Sequence, residues 1–473
     1  MIIMHILILL GVKNMKAVLK VFPFLFVLAF VLTACQTSAP EVVPEYKVDI
    51  AGADLDGLKI SWGWDSLNDV IYGFVAGTAH SDMALERERY VEDTYNCDIT
   101  VEYTDRVYDN LRASVMSGSP RYDLLTGSTY ALVVDVRAGY LTGLSGLLDI
   151  SNTEKWGTPN MLQSLLWVDD LYGVVPFAWP DLLYGATGHL IAVNETLVSK
   201  LVQPDPREFV ENNTWTWDKF EETLAIYTHQ EAGRTIYAIN CHDAYFAMNM
   251  FLSNGCTLSS FENGQVVCGA YTEAGKVALE RAKKIYTETC VDYFYPDVST
   301  ANEYIINGDV VMAVTWLDGM MGTNESFLYK MDNLGVLPFP VGPNAQQDVY
   351  PTYHEGLHYA TSIPVNAKDP EATAIVLSAM YEPFDQYKTK EDIIDYMSEQ
   401  AFFDRRDAEI FANMVKNTEY GFFREGARSV IQNVVEKSET VTSLLESYED
   451  QYEQIVEDYM IHHFEGRLAV YGE

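Results

Sequence analysis

Beyond residue 57 the chain alternates short apolar runs with stretches in which apolar residues recur every three or four positions, the pattern of strands exchanging with helices. Leu58–Trp62 reads as a first strand, followed by a helix carrying Met83, Arg87 and Tyr90 on one face. Ile99–Tyr103 reads as a second strand, Asn110–Met116 as a helix stopped by Gly118, and Tyr122–Leu125 as a third strand. This alternation predicts parallel α/β units, which bind ligands at the carboxyl ends of their strands. Leu171–Pro176 then leads into a proline-punctuated crossing, Phe177–Asp181, the form of a hinge between lobes. Further on, Asp218–His229 reads as a helix capped by Thr216, Ile236–Ile239 as a strand and Thr272–Tyr286 as a helix. Val310–Thr315 reads as a strand delivering Trp316 and Asp318, with further strands at Leu334–Phe339 and His358–Ile363. Pro370–Tyr381 reads as a helix with Pro at the favoured first position. Val441, Leu444, Leu445, Tyr448, Tyr452, Ile455, Val456 and Tyr459 recur at helical spacing, and predict a long amphipathic C-terminal helix on the globule. A dimerising coiled coil, the alternative, needs a longer pattern.

The amino terminus departs from this pattern. Residues 21–35, VFPFLFVLAFVLTAC, form a short apolar run preceded by Lys16 and Lys20 and ending in Leu32-Thr33-Ala34-Cys35. That is the layout of a secretory signal, and the Cys in the cleavage motif resembles the lipobox of bacterial lipoproteins. Residues 1–34 are then signal peptide, and Cys35 is the lipidated first residue of a protein held at the extracytoplasmic face of the cell membrane. The alternative is an uncleaved anchor. Residues 1–14 fit this layout poorly, and Met15 reads as the natural start. Residues 36–57 carry small residues, prolines and scattered acids without a period, and read as a flexible tether.

The remaining chain, roughly 440 residues, is long enough for two or three domains. At 48% hydrophobic residues it can bury a large core. The net charge of −37 excludes nucleic acid and anionic membrane surfaces as natural partners. Besides Cys35 there are Cys97, Cys241, Cys256, Cys268 and Cys290, with no CxxC pair. Cys256 and Cys268 flank the turn Asn263-Gly264, so a disulfide across that hairpin and buried free thiols are both open. No nucleotide-binding glycine loop occurs, and no cofactor is expected.

Several segments, in order, resemble the sugar-binding extracellular solute-binding proteins (family 1) of ABC importers. They are the lipobox, Ser117-Gly118-Ser119-Pro120-Arg121-Tyr122-Asp123-Leu124, Asp170–Pro176, Thr216-Trp217-Asp218-Lys219-Phe220, Asn307–Ala313, Leu334–Pro340 and Ile363–Ile375. The resemblance covers about residues 58–385. It implies an α/β, two-lobed periplasmic-binding-protein-like fold of type II, each lobe a mostly parallel sheet flanked by helices, with hinge crossings and a helical C-terminal region. Residues 58–175, continued by about 310–365, form lobe 1 in this reading. Residues 176–309, joined by about 366–473, form lobe 2. The implied protein is a monomer that does no chemistry, binds a small molecule, in this family a sugar, and passes it to an ABC permease.

A sugar offers hydroxyls and apolar ring faces, so its receptor needs aromatic platforms and hydrogen-bonding side chains. Trp62, Trp64, Trp179 and Trp316 fall at expected strand ends or crossings, and Tyr130 and Tyr353 are similarly placed. Asp65, Asp123, Ser128, Asp181 and Asn240 (with His242 after it) are candidates for the hydroxyls. Core packing and turn formation are the competing roles. His354-Glu355-Gly356-Leu357-His358 is a literal H-E-x-x-H, the zinc-peptidase signature. That mechanism needs both histidines on one helical face, whereas Gly356 interrupts this segment and a β-rich run follows. A secreted zinc metallopeptidase is therefore the lesser reading, as is a receptor for a peptide or amine. In the main reading His354 and Glu355 line the cleft.

Overall fold

The computed structural model of the chain describes residues 52–65, 70–177, 179–180, 187–262, 265–292, 303–316, 331, 333–354, 360–400, 402, 404–420, 430–431, 434–435 and 438–471. All lie in the compact unit Val43–Glu473, the other unit being Met1–Val42. The signal segment, Cys35 and the tether up to residue 51 lie outside the described residues. Among the described residues no helix is long and apolar enough to cross a membrane.

Strand β1 (Leu58–Trp64) starts the first sheet. It pairs in parallel with β2 (Cys97–Tyr103) in the register Leu58↔Cys97, and with β3 (Leu124–Gly127) in the register Trp62↔Leu124. Helix α1 (Ala79–Tyr95) joins β1 to β2, starting in a capping box between Thr78 and Ser81. It buries Ala84 and Val91, and of the face with Met83, Arg87 and Tyr90, Met83 packs against the first core while Tyr90 is 61% exposed. Arg87 donates to the carbonyls of Ala379, Glu382 and Pro383. Helix α2 (Val107–Ser117) joins β2 to β3 and stops at Gly118, whose φ of 67° a side chain would disfavour. After α3 (Thr129–Arg137) and the short α4 (Pro159–Gln163) comes the small hairpin of β4 (Leu166–Trp167) and β5 (Asp170–Leu171).

The second sheet begins with β6 (Leu190–Asn194), followed by α5 (Arg207–Glu211) and by α6 (Trp217–Tyr227), which Thr216 caps as expected. Strand β7 (Arg234–Cys241) and helix α7 (Asp243–Leu252) precede the hairpin β8 (Ser259–Glu262) and β9 (Gln265–Cys268). Helix α8 (Glu273–Thr289) leads to β10 (Cys290–Asp292), β11 (Val310–Thr315) and β12 (Leu334–Leu337). The order is β10-β7-β11-β6-β12. Strands β10, β7 and β11 run parallel, and β6 is antiparallel to both of its neighbours. This corrects the expected boundary: residues 310–315 and 334–337 belong to the second sheet. All five residues of β6 are buried, so it needs a strand on each edge, and β11 and β12 supply them.

Two chain crossings link the lobes and lie side by side. At the first lobe Val174 and Thr361 exchange backbone hydrogen bonds of 3.0 and 2.8 Å. At the second, the His189 N–H donates to the Tyr353 carbonyl (3.3 Å) and the Thr352 hydroxyl donates to the His189 carbonyl (2.5 Å). The second crossing runs from β13 (Thr352–His354) to β14 (Ala360–Ser362), and β14 completes the first sheet antiparallel to β3. Helix α9 (Pro370–Met380) still belongs to the first core, through Ala374, Val376, Leu377 and Met380. The chain joins the second core from α10 (Lys390–Gln400) and α11 (Arg405–Lys416) onward, so the expected change of lobe at residue 366 falls after α9 instead. Strand β15 (Thr418–Tyr420) then pairs in parallel with β13.

The C-terminal helix runs longer than an ordinary surface helix and bridges both lobes. Helix α12 (Val441–Ile455) buries Val441, Leu444, Leu445 and Tyr452 in the second core. A π turn (Val456–Met460) follows, and then α13 (Ile461–Tyr471), which puts Val470 and Tyr471 in the first core. Helix α13 lies on the β4–β5 hairpin, where the Val168 N–H donates to the His462 carbonyl at 2.8 Å. A Cβ at Gly466 would stand 2.8 Å from the Trp167 backbone nitrogen and 3.1 Å from the Leu166 Cβ. On helix propensity alone, Gly466→Ala gains about 1 kcal/mol. The expected outcome is the reverse, a loss of about 1–3 kcal/mol, read as a lower midpoint in denaturant unfolding.

One buried charge cluster ties α5, β12 and α11 together. Arg207 is enclosed and forms a two-pronged pair with Asp407 at 3.0 and 3.0 Å, while Glu195, Asp205 and Asp404 also surround it. Asp407 also accepts the Val336 N–H at 2.9 Å, and burial pushes its carboxyl up to about 7 against the pull of Arg207. Asp404, at the rim, is held at about 2 by hydrogen bonds from Arg406. A carboxyl with a lowered pKa adds stability above its unfolded value, and that stability is lost as pH falls through the folded value. Asp404 therefore loses its share between about pH 4 and 2. In denaturant melts, Arg406→Gln is less stable than the native chain at pH 5, and the gap narrows by pH 2.

Candidate ligand-binding site

At the carboxyl edge of the second sheet four ring-bearing residues, remote in sequence, come together. Strand β7 ends in Asn240 and Cys241, and His242 then caps α7 by accepting the Ala244 N–H at 3.3 Å. The next parallel strand, β11, ends at Thr315 and delivers Trp316. Because β6 is antiparallel, with Leu190 opposite Thr315, its start brings His189 to the same edge. Helix α7 adds Tyr245 one turn after His242. The His189 and Tyr245 rings stack at 3.9 Å between centroids. Trp316 stands 4.6 Å from His189 and 5.0 Å from Tyr245, and His242 lies 4.9 Å from Tyr245. His189 and Tyr245 are buried, Asn240 is 1% exposed, and Trp316 and His242 are half-buried. The cluster therefore presents an indole backed by two rings, the form of a stacking platform.

The corresponding edge of the first sheet carries Asp65 and Ser128. Asp65 follows β1, and its backbone N–H donates to the Thr126 carbonyl at 2.9 Å. Burial raises the Asp65 carboxyl above the usual range, an N–H from Ser128 draws it partly back, and the nearby Asp105 charge raises it further. Ser128 precedes α3, and its carbonyl accepts the Tyr108 hydroxyl at 2.6 Å. Each lobe thus places hydrogen-bonding groups where parallel strands end, the position at which open α/β sheets bind ligands.

Residues 87–393 match the family of bacterial extracellular solute-binding proteins. The chain belongs to this family.

Solved structures show the same fold. The GacH receptor of Streptomyces glaucescens, solved with acarbose, is 14% identical with a TM-score of 0.55, over 85% of this chain and 99% of that one. A cyclo/maltodextrin-binding protein with maltotetraose is 12% identical with a TM-score of 0.57, over 84% and 97%. An ABC substrate-binding protein of Listeria monocytogenes, with cycloalternan, is 13% identical with a TM-score of 0.53, over 85% and 99%. No curated protein matches the sequence. The expected fold class is met: a two-lobed, type II, periplasmic-binding-protein-like α/β fold with a helical C-terminal region.

Within this solute-binding protein several sequence candidates have other roles. Trp62 is fully buried and donates to the Thr126 hydroxyl at 2.8 Å, and Trp64 lies beside it at 5.6 Å. Trp179 is fully buried between Phe384 (4.4 Å) and Phe74 (5.3 Å) and donates to the Glu382 carbonyl. These three indoles fill the core of the first lobe, and a ring with no accessible face offers a ligand no platform. Asp123 is 2% exposed and accepts the backbone N–H groups of Ser61 and Lys368, tying β1 to the approach to α9. Tyr353 is fully buried and serves the hinge through its backbone. His354 is 2% exposed, on a strand, with its ring 5.9 Å from Tyr420. A strand cannot give the helical spacing of a zinc-peptidase signature. Among the described residues no three His, Cys, Asp or Glu side chains converge as metal ligands would. Asp181, Glu355 and His358 lie outside the described residues, and of Tyr130 only its place in the first turn of α3 is described. Among the described residues, Cys97, Cys241, Cys256, Cys268 and Cys290 form no disulfide. The hairpin register puts Ser259, not Cys256, opposite Cys268, so no disulfide spans it.

His189 and Tyr245 are the site residues that sequence reasoning missed. Tyr245 stands three residues after His242, a helical spacing that could have revealed it. Nothing local marks His189, because only the antiparallel course of β6 brings it to that edge.

Proposed function

We propose that this solute-binding protein is the lipid-anchored receptor of an ABC-type importer and that its solute is a carbohydrate, held between the carboxyl edges of the two lobes. The observation carrying the carbohydrate reading is the platform of Trp316 on His189 and Tyr245, beside Asn240 and His242. Sugars pair an apolar ring face with hydroxyls that both donate and accept, and this edge offers both kinds of surface. The structural neighbours solved with oligosaccharides or acarbose support the same class. Asp65 and Ser128 would complete the site from the first lobe. The receptor does no chemistry: ligand bridging both edges favours the closed arrangement, and the importer reads that arrangement. Lipidation at Cys35 would keep the receptor at the extracytoplasmic face of the membrane, and its long acidic chain works there as a monomer.

A thermal-shift screen of residues 36–473 against mono- and oligosaccharides, with and without a chelator, tests this reading. A ligand that binds only the folded chain raises its melting temperature. A rise with one saccharide series is expected, unaffected by the chelator. Silence to every saccharide, with melting lowered by the chelator, would sink the carbohydrate reading and favour a metal site.

A further inference from the structure

A separate cavity of about 420 Å³ lies beneath the C-terminal helix. It shares no residue with the aromatic cluster around Trp316. Four parts of the chain enclose it: α4 of the first lobe, the β8 strand of the second, the hinge strand β15, and α13 as its roof. Its wall carries the amides of Asn160 and Gln163, the hydroxyls of Thr257, Ser259 and Ser260, the His463 ring, which hydrogen-bonds the Leu166 carbonyl, and one carboxylate and one guanidinium, Glu419 and Arg467. In a chain of net charge −37 this lining is balanced. Phe261 is 52% exposed and stacks on Phe464 at 5.5 Å with the planes 25° apart, so an aromatic face borders the polar wall. The Ser259 side chain is 4% exposed, and its hydroxyl has no hydrogen-bond partner among the described residues. A buried hydroxyl left unpaired is costly, and a ligand group reaching it from the cavity would relieve that cost.

We propose that this cavity is a second binding site, for a neutral, hydroxyl-rich small molecule of mono- or disaccharide size. The balanced lining disfavours an ion. Amides and hydroxyls, which both donate and accept, suit a ligand whose own groups do the same. The Phe261 face suits an apolar ring surface. Because the walls come from both lobes and from a hinge strand, occupancy here bears on the interlobe angle without touching the Trp316 platform. The inference stands on this geometry and does not require the first site to bind sugar.

Calorimetric titration of residues 36–473 with glucose, maltose, cellobiose and sorbitol tests it, in the native chain and in Trp316→Ala. At least one of the four is expected to bind in the Trp316→Ala background. Adding Ser259→Ala or Gln163→Ala should weaken that binding about tenfold. In the native chain, amide exchange should slow at residues 257–261 and 463–467 on addition of the same compound, a readout that does not depend on any variant folding. If none of the four binds in the Trp316→Ala background, or binding there ignores Ser259→Ala and Gln163→Ala, the cavity holds only water and the proposal fails. Binding confined to the native chain, with exchange slowed only around residues 189, 240–245 and 316, overturns the second site and leaves the first standing.

Discussion

Trp316→Ala is expected to lower affinity for the preferred saccharide of the Trp316 site by roughly 30- to 100-fold, the loss typical of an aromatic anchor worth about 2–3 kcal/mol. Trp316 is the half-buried member of the His189–Tyr245–Trp316 cluster, so its truncation removes the stacking face and leaves the buried rings in place. Trp316→Phe should recover part of the affinity, since a smaller ring still stacks on His189 and Tyr245. Calorimetric titration at one ionic strength reads both. Unchanged affinity in Trp316→Ala, in a chain that still melts cooperatively, would move the platform away from the second lobe's edge.

Arg207→Ala is expected to be among the most destabilising single changes, costing about 3–5 kcal/mol. Arg207 and Asp407 are both enclosed, and removing the guanidinium leaves Asp407 buried without its cation. Asp407 also accepts the Val336 N–H, so the damage reaches the edge strand β12 directly. Arg207→Met, which keeps apolar volume but not charge, should be nearly as costly for the same reason. The double variant Arg207→Met with Asp407→Leu should recover part of the loss, because it removes the most deeply buried stranded charge while Glu195 still loses its cation. Denaturant unfolding of the three variants gives the comparison. A double variant no better than the single would mean that packing around the cluster, and not its charge, sets the cost.

Much of the fold was legible because local pattern and local chemistry agree. Strand β11 spans the predicted Val310–Thr315, Thr216 caps the helix it was expected to cap, Pro370 opens α9 at its first turn, and Gly118 ends α2 in the left-handed conformation. The C-terminal apolar repeat did give a helix on the globule, continued through a π turn. What was not legible depends on the partner of each element. Strands β11 and β12 look like any buried strand, and only the course of β6 decides which sheet takes them. At the site, a tryptophan at a strand end has the same sequence signature whether its ring faces a cleft or a core. Trp316 is half-buried, whereas Trp62 and Trp64 are closed in by Tyr72 and Tyr381, and Trp179 by Phe74 and Phe384.

The two paired crossings at Val174–Thr361 and His189–Tyr353 make closure on ligand the central claim. Small-angle X-ray scattering of residues 36–473, with and without the saccharide that gives the largest thermal shift, tests it most directly. A smaller radius of gyration in the bound state, reached in Trp316→Ala only at much higher saccharide concentration, is the predicted result. Saturating binding with no change in the radius of gyration would contradict it.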